Sequence, residues 1–209
     1  MTRVKICGIT NLDDARAAVD VGADALGFNF YRKSRRYIDP DAAGEIISQL
    51  QTGVQTFGVF VNASVDEIED AVSRARIDIV QLHGDESPDF VNTVATKFQV
   101  GVMKALRVST EFDPGTALSY NTAEMFLLDA ESAEFGGSGR TFDWSIARRL
   151  KESVPMFYLA GGLTPDNVAA AIRQIAPYGV DVCSGVEFEK GKKDLKKMAT
   201  FIQEVRNAL

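Results

Sequence analysis

Short apolar runs alternate regularly with longer amphipathic segments through the whole chain. The apolar runs have the length of strands and are rich in β-branched and aromatic residues, whereas the segments between them have a helical period. Strands and helices in strict alternation predict a parallel sheet covered by helices. The candidate strands are Val4–Ile9, Ala25–Phe30, Thr56–Val61, Ile77–Leu82, Val100–Leu106, Met125–Leu128, Met156–Ala160 and Val180–Cys183.

Capping residues predict where the helices begin. Ser64 is followed three residues later by Glu67, which is the pattern of a capping box. Several other capping side chains stand before a proline, an order typical of the first helical turn. The remaining predicted caps are Asn11, Asp39, Ser87, Asp143 and Thr164, and the last helix is predicted from about Asp194 to Arg206.

The number of strands and the chain length together predict closure of the sheet. Eight units in 209 residues leave about 26 residues per unit, which suits a βα repeat and leaves no room for a second domain. We therefore predict that residues 1–209 form one α/β domain, a (β/α)8 TIM barrel of eight parallel strands. The alternative is an open doubly wound sheet, which would want a glycine-rich dinucleotide or phosphate loop after an early strand. Neither loop is present.

Charge and composition argue against several classes of partner. The formal net charge of −6 disfavours general attraction to nucleic acid or to an anionic membrane. The two cysteines, Cys7 and Cys183, lack metal-ligand spacing and His83 is the single histidine, so no metal site is expected. The start of the sequence has no apolar signal core, and no stretch is long enough to cross a bilayer. These features predict a cytoplasmic protein.

The working residues of a barrel enzyme cluster at the carboxyl ends of its strands. The glycine pairs after the last two strands are the clearest signal there, because glycines let backbone N–H groups approach a phosphate closely. These glycines could also merely turn the chain. The strand ends are Cys7-Gly8, Asn29, Asn62, His83, Lys104–Arg107, Asp129, Gly161-Gly162 and Ser184-Gly185.

Two strand-end residues are candidates for proton transfer. Cys7 is either a small buried hydrophobe or a reactive thiol, whereas Cys183 is interpreted as core. Asp129 follows an apolar run and is either a helix cap or an active-site acid. Asp143 already serves as a cap, which leaves Asp129 free for chemistry. The glycine-rich loop 136–139 could close over a substrate.

Three further features allow both a structural and a functional interpretation. The basic loop Arg32–Arg36 is by default solvated, but an arginine on the catalytic face could bind a carboxylate or a phosphate. His83 could line the pocket or be a hydrogen-bonded structural residue. The basic run from Lys190 to Lys197 is interpreted as solvated, with some value for steering anions.

Six motifs, in order from the first strand to the last, resemble the phosphoribosylanthranilate isomerase family. The resemblance covers essentially the whole chain, and the first motif together with the glycine-rich loop and its Phe-Asp-Trp is highly specific. The motifs are Lys5–Thr10, Gln81–Gly84, Leu128-Asp129, Phe135–Trp144, Ala160–Leu163 with Pro165–Val168, and Val180–Val182 with Ser184–Glu187.

The resemblance implies a reaction and roles for individual residues. The substrate would be N-(5-phosphoribosyl)anthranilate, a step of tryptophan biosynthesis, and the reaction an Amadori rearrangement without cofactor. Cys7 would be the general base and Asp129 the general acid, and Arg36 would bind the anthranilate carboxylate, although Arg35 is the alternative. The groups implied around the rest of the substrate are His83, Asp181, Gly161, Gly162, Ser184 and Gly185.

Two other classes of function remain open at this stage. Another phosphate-binding barrel enzyme, such as indole-glycerol-phosphate synthase or a pentose-phosphate epimerase, would need catalytic lysine and glutamate or a histidine-rich metal cluster. A catalytically inactive sugar-phosphate sensor would be expected to lack the acid or the base, and both Cys7 and Asp129 are present. The expected partner is a small sugar phosphate, and the expected assembly is a monomer or a weak homodimer.

Overall fold

The eight predicted strands form a closed parallel barrel in sequence order, which confirms the predicted fold and excludes the open sheet. The first strand is hydrogen-bonded to both the second and the last, so the sheet has no free edge. The computed structural model describes residues 1–50, 53–98, 100–109, 112–130, 144–151, 154 and 156–208. The strands are β1 (Arg3–Cys7), β2 (Ala25–Asn29), β3 (Gln55–Phe60), β4 (Ile79–Leu82), β5 (Gly101–Val108), β6 (Met125–Ala130), β7 (Phe157–Leu159) and β8 (Gly179–Val182).

Helices follow most strands, but two connections depart from the simple repeat. A short 3-10 helix, Pro114–Ser119, lies between β5 and β6 among the described residues. A second 3-10 helix, Ser184–Val186, follows β8 and leads into the hairpin β9 (Glu187–Glu189) and β10 (Lys192–Lys193). The α-helices are α1 (Leu12–Asp20), α2 (Pro40–Ile47), α3 (Val65–Ala75), α4 (Pro88–Lys97), α5 (Trp144–Lys151), α6 (Val168–Ile175) and α7 (Leu195–Asn207).

Most predicted caps are confirmed by side-chain hydrogen bonds to the first turn, and one is wrong. The wrong one is Thr164, because α6 begins only at Val168. The Asn167 side chain accepts a hydrogen bond from the Thr164 backbone N–H, which closes a turn ahead of the helix. Asp143 and the loop 136–139 lie outside the described residues. The confirmed caps are Asn11, Asp39, Ser64 and Ser87, and the predicted start of the last helix at Asp194 is also an N-cap.

The capping box at the start of α3 gives a stability prediction. Ser64 accepts from the Glu67 backbone, and the Glu67 carboxylate accepts from the Ser64 backbone N–H at 2.7 Å. We expect Ser64→Ala to lower the free energy of unfolding by about 1 kcal/mol, because the Glu67 backbone N–H and the Glu67 carboxylate each lose the Ser64 hydroxyl as a partner. Ser73→Ala, at an exposed position on the same helix, is the control and should change stability by a few tenths of that at most. Urea unfolding measures both, and equal losses would contradict the capping argument.

Strand alternation separates the buried side chains into two groups. Even-numbered positions of β1, for example, pack outward against the helices, and the odd positions face the barrel axis. Inward apolar side chains fill the lower part of the barrel, so a ligand can enter only from the carboxyl end of the strands. They are Ala25, Phe57, Ile79, Met103, Ala105, Met125, Leu127, Tyr158 and Ala160.

None of the helices in the described part of the chain has the length and apolar character needed to cross a bilayer.

Candidate active site

A cavity of about 730 Å³, including its open mouth, lies at the carboxyl end of the strands. It gathers residues from the first strand to the last, and it includes every residue to which the family resemblance gives a role except Gly185. The strand-end candidates Asn62 and Lys104–Arg107 do not line it. Gly185 packs against the chain after β7, where an added Cβ would collide with the Leu163 carbonyl oxygen. The candidate residues that line the cavity are Cys7, Arg36, His83, Asp129, Gly161, Gly162, Asp181 and Ser184.

A buried ion pair forms the floor of the cavity on the β1–β8 side. The Lys5 ammonium lies 2.8 Å from the Asp181 carboxylate, and Lys5 is fully buried. Burial disfavours the Lys5 charge, but the attraction of Asp181 and of Cys7 outweighs burial and raises the pKa of Lys5. Lys5 therefore stays charged directly beneath Cys7, where it favours the thiolate form of that residue.

Cys183 lies beside Cys7 in the cavity, and its assignment to the core was wrong. It is partly exposed and lines the cavity, since it directly follows β8 and faces inward like Asp181. The neighbouring Cys7 thiol, with help from Lys193 and Arg36, lowers the pKa of Cys183 to about 7 against the effect of burial. The Cys183 thiol, followed by burial, raises the pKa of Cys7. The two groups therefore titrate as a pair, in which Cys183 loses its proton before Cys7.

A chain of hydrogen bonds leads from β4 to Asp129 on the opposite side of the cavity. The Gln81 amide nitrogen lies 2.9 Å from His83 Nδ1, and His83 Nε2 lies 3.2 Å from Asp129 Oδ2. With the amide donating, the ring carries its hydrogen on Nε2 and donates it to Asp129. With the amide turned over, the ring carries its hydrogen on Nδ1 and accepts from a protonated Asp129. His83 can therefore adapt to either protonation state of Asp129, and both of its sequence interpretations hold.

Arg36 turns into the cavity, and the neighbouring Arg35 remains exposed. The Asn29 side chain holds the loop after β2 by bonds to the Tyr31 backbone N–H and to Ser34 Oγ. Ser34 Oγ in turn accepts from the Arg36 backbone N–H. These contacts resolve the choice of arginine facing the cavity in favour of Arg36.

Glu187 and Lys193 lie behind Arg36, outside the cavity lining, and sequence reasoning missed both contacts. Arg36 donates two hydrogen bonds of 2.8 Å to the Glu187 carboxylate, and Lys193 lies 3.0 Å from the same group. Burial alone would raise the pKa of Glu187, but Arg36 and Lys193 outweigh it and lower that pKa. The solvated interpretation of the 190–197 run is wrong for Lys193, whose position on β10 opposite Glu187 buries its side chain. The one sequence signal for a hairpin in this run is Gly191, which lies in the turn between β9 and β10.

Glycines shape both the thiol side of the cavity and the side formed by the loop after β7. Gly8 has a φ of +74°, and a Cβ there would lie 2.6 Å from Arg36 Cδ and 2.9 Å from Cys183 Sγ. Gly161 and Gly162 have φ values of +82° and +64°, a conformation that other residues rarely adopt. The loop after β7 therefore presents bare backbone to the cavity, next to Ser184 after β8. Within the described residues, no group of three or more histidine, cysteine or acidic side chains is placed to hold a metal ion.

The chain matches a family model over residues 4–204, and the family is described as N-(5'-phosphoribosyl)anthranilate (PRA) isomerase. It is 48% identical to the N-(5'-phosphoribosyl)anthranilate isomerase of Trichlorobacter lovleyi, with 100% of both chains covered. It is 50% identical to the isomerase of Pelobacter propionicus, with 97% of this chain and 95% of the other covered.

Solved structures agree with the sequence comparison. The phosphoribosyl anthranilate isomerase of Thermotoga maritima superposes with a TM-score of 0.92 at 45% identity, with 99% of both chains covered. A phosphoribosyl anthranilate isomerase in complex with reduced 1-(o-carboxyphenylamino)-1-deoxyribulose 5-phosphate superposes with a TM-score of 0.88 at 42% identity, again over 99% of both chains. Together with the barrel and its cavity, these matches show that the chain belongs to the N-(5'-phosphoribosyl)anthranilate isomerase family.

Proposed function

We propose that the chain converts N-(5-phosphoribosyl)anthranilate to 1-(2-carboxyphenylamino)-1-deoxyribulose 5-phosphate in tryptophan biosynthesis. The reaction is an internal redox exchange between C1 and C2 of the sugar, so no external electron carrier is needed. The observation that supports it most directly is that Cys7 and Asp129 line one cavity with two glycine loops and an inward arginine. That arrangement supplies an acid, a base and two anion contacts for one sugar phosphate.

The acid and the base act on different atoms of the sugar. Asp129 donates a proton to the ring oxygen as the bond from that oxygen to C1 breaks, which leaves an iminium between C1 and the anthranilate nitrogen. Cys7 then removes the proton from C2, and the electron pair forms the enolamine. Reprotonation at C1 and loss of the proton from the C2 hydroxyl give the ketone. Cys7 and Asp129 sit on β1 and β6 of an eight-stranded barrel, which suits groups that act on different sides of a ring.

The paired thiols supply the base. The Cys183 thiolate, which Lys193 and Arg36 favour, takes the Cys7 proton and leaves a Cys7 thiolate as the base. The Lys5 ammonium below stabilises that charge. His83 on the other side keeps Asp129 oriented at 3.2 Å, and Asp181 acts indirectly by holding Lys5.

Substrate anions are held at two ends of the cavity. Backbone N–H groups of Gly161, Gly162, Ser184 and Gly185 bind the phosphate, for which bare glycine backbone is well suited. Arg36 binds the anthranilate carboxylate. Two of its N–H donors, on Nε and on one terminal nitrogen, bind Glu187. A guanidinium carries five N–H donors, so the remaining donors can bind the substrate carboxylate.

The carboxylate contact gives a prediction for Arg36→Lys. We expect KM to rise roughly 10- to 100-fold with a smaller change in kcat, because a charged hydrogen bond contributes about 1.5–3 kcal/mol. A lysine keeps the charge but loses the planar two-point contact. Arg35→Lys at the exposed neighbouring position is the matched control and should leave KM within about twofold. Steady-state kinetics with varied substrate decide this, and equal KM values for the two variants would contradict the role of Arg36.

Turnover by the purified protein tests the function itself. Proton NMR should show the anomeric signal of N-(5-phosphoribosyl)anthranilate disappearing while the signals of the 1-deoxyribulose product grow. The gene should also restore growth of a tryptophan auxotroph that lacks this isomerase. Tight binding without conversion would support the inactive sensor instead.

The same proposal includes the setting in which the protein works. We expect a small sugar-phosphate substrate, no nucleic-acid partner, a cytoplasmic location and a monomer or weak homodimer. The net charge of −6 supports the absence of nucleic-acid binding. A related structure is described as monomers generated from a dimeric phosphoribosylanthranilate isomerase of Thermotoga maritima. Light scattering at several protein concentrations measures the state of this chain.

A further inference from the structure

The two cysteines occupy neighbouring strands at the same level of the barrel. Lys5 is paired with Asp181 and Ile6 with Val182 across β1 and β8, so Cys7 and Cys183 are the next inward neighbours. Adjacent strands lie about 4.8 Å apart, and disulfides join residues whose Cα atoms are about 4.4–6.8 Å apart. Both residues are free cysteines that line the same cavity. The pair is therefore placed for a disulfide without a large movement of the backbone.

The surroundings of the pair make one sulfur more reactive than the other. Cys183 Sγ lies 3.8 Å from Lys193 Nζ and is partly exposed in the cavity. Arg36 lies close by, since both Arg36 Cδ and Cys183 Sγ crowd the same side of Gly8. The Lys193 and Arg36 cations favour the thiolate form of Cys183, which is the form that reacts with peroxides. Cys7 is more deeply buried, and its raised pKa means that it keeps its proton to a higher pH.

We propose that Cys7 and Cys183 form a reversible disulfide when the protein meets hydrogen peroxide, and that this bond switches off the isomerase. The disulfide rests on the thiol pair alone, whereas the loss of activity also rests on the proposed function of Cys7. A disulfide removes the sulfur that takes the C2 proton, so the oxidised enzyme lacks its base. Hydrogen peroxide is small enough to enter the open cavity.

The oxidation proceeds in two balanced steps. The Cys183 thiolate attacks one peroxide oxygen and the O–O bond breaks, which leaves Cys183 as a sulfenic acid. The departing hydroxide combines with the proton that Cys183 released on ionising and becomes the first water. The Cys7 sulfur then attacks Cys183 Sγ, the S–S bond forms and the S–O bond breaks. The leaving hydroxide takes the Cys7 proton and departs as water. Two thiols and one peroxide thus give one disulfide and two waters, and the second thiol protects the first from irreversible oxidation.

The test uses the full-length protein with graded hydrogen peroxide, followed by alkylation of remaining thiols and mass spectrometry of the peptides. We expect a crosslinked pair of peptides containing Cys7 and Cys183, with the loss of two hydrogen atoms and no alkylation at either site. Dithiothreitol should restore both thiols. Isomerase activity should fall in proportion to the oxidised fraction and return on reduction.

A Cys183→Ser protein provides the comparison, with each protein measured against its own untreated rate. Without the reactive thiolate of Cys183, no crosslink within the chain can form, and peroxide should inactivate this variant more slowly than the parent protein. Two alkylatable thiols after treatment, a crosslink only between separate chains, or full activity of the crosslinked protein would each overturn the proposal. A disulfide that forms in a protein with no isomerase activity before treatment would instead refute the proposed function and leave the thiol pairing intact.

Discussion

Replacing Cys7 with alanine is expected to lower kcat by about 10²–10⁴-fold, the usual contribution of a positioned general base. The variant keeps the barrel, since Cys7 is a small side chain at the wall of an open cavity, but it has no group to take the C2 proton. Cys183 remains, yet it contacts Lys193 and Glu187 and lies one strand away from the position of Cys7. KM should change little because the phosphate and carboxylate contacts are intact.

Val59→Ala is the control for the Cys7 variant. Val59 also lines the cavity and is nearly buried, so its truncation disturbs packing there without removing a proton carrier. Its kcat should stay within a few-fold of the parent protein. Rates within tenfold of the parent for Cys7→Ala would show that another group is the base.

Replacing Asp129 with asparagine is expected to lower kcat by about 10²–10⁴-fold as well, because an amide cannot deliver a proton to the ring oxygen. Asparagine has nearly the same shape, and its carbonyl oxygen can still accept from His83 Nε2, which lies 3.2 Å from the Asp129 carboxylate. The loss should therefore appear in kcat, whereas substrate binding and the free energy of unfolding should change little.

Asp85→Asn is the matched control for the Asp129 variant. Asp85 follows the same strand end as His83 and pairs with Arg107 at an exposed position. The control removes one negative charge from the same face of the barrel but leaves every proposed proton carrier in place. Equal losses of kcat in the two variants would mean that the reaction needs negative charge on this face of the barrel and not the Asp129 proton.

The barrel was predictable because its signals are local. Each strand is an apolar run of the right length, and the caps at Ser64, Ser87 and Asp194 are set by side chains within three residues of the helix start. Alternation along β1 and β6 then directs Cys7 and Asp129 to the inside. The cause of the wrong prediction for the start of α6 is also local. The Asn167 side chain accepts from the Thr164 backbone N–H and closes a turn where the Thr164 cap was expected.

The parts that escaped prediction depend on contacts between distant segments. Arg36 and Glu187 are 151 positions apart in sequence, and no periodicity in either segment indicates that they meet. The same holds for Cys183, whose neighbour Cys7 comes from the other end of the chain. Lys193 was read as solvated because a basic run normally is, and only the return of the β9–β10 hairpin onto Glu187 buries it.

The pairing of β1 with β8, which closes the barrel, determines when the folding chain becomes active. The Lys5–Asp181 contact that supports the base joins residues 176 positions apart, and contacts of such long range form late because the intervening chain must first be ordered. A fragment ending after β6 would contain both proposed proton-transfer residues and Lys5, but it would lack Asp181, the second thiol and both phosphate loops. Catalytic turnover is thus a readout of ring closure itself, and it should return after denaturation no sooner than the last strand docks against the first.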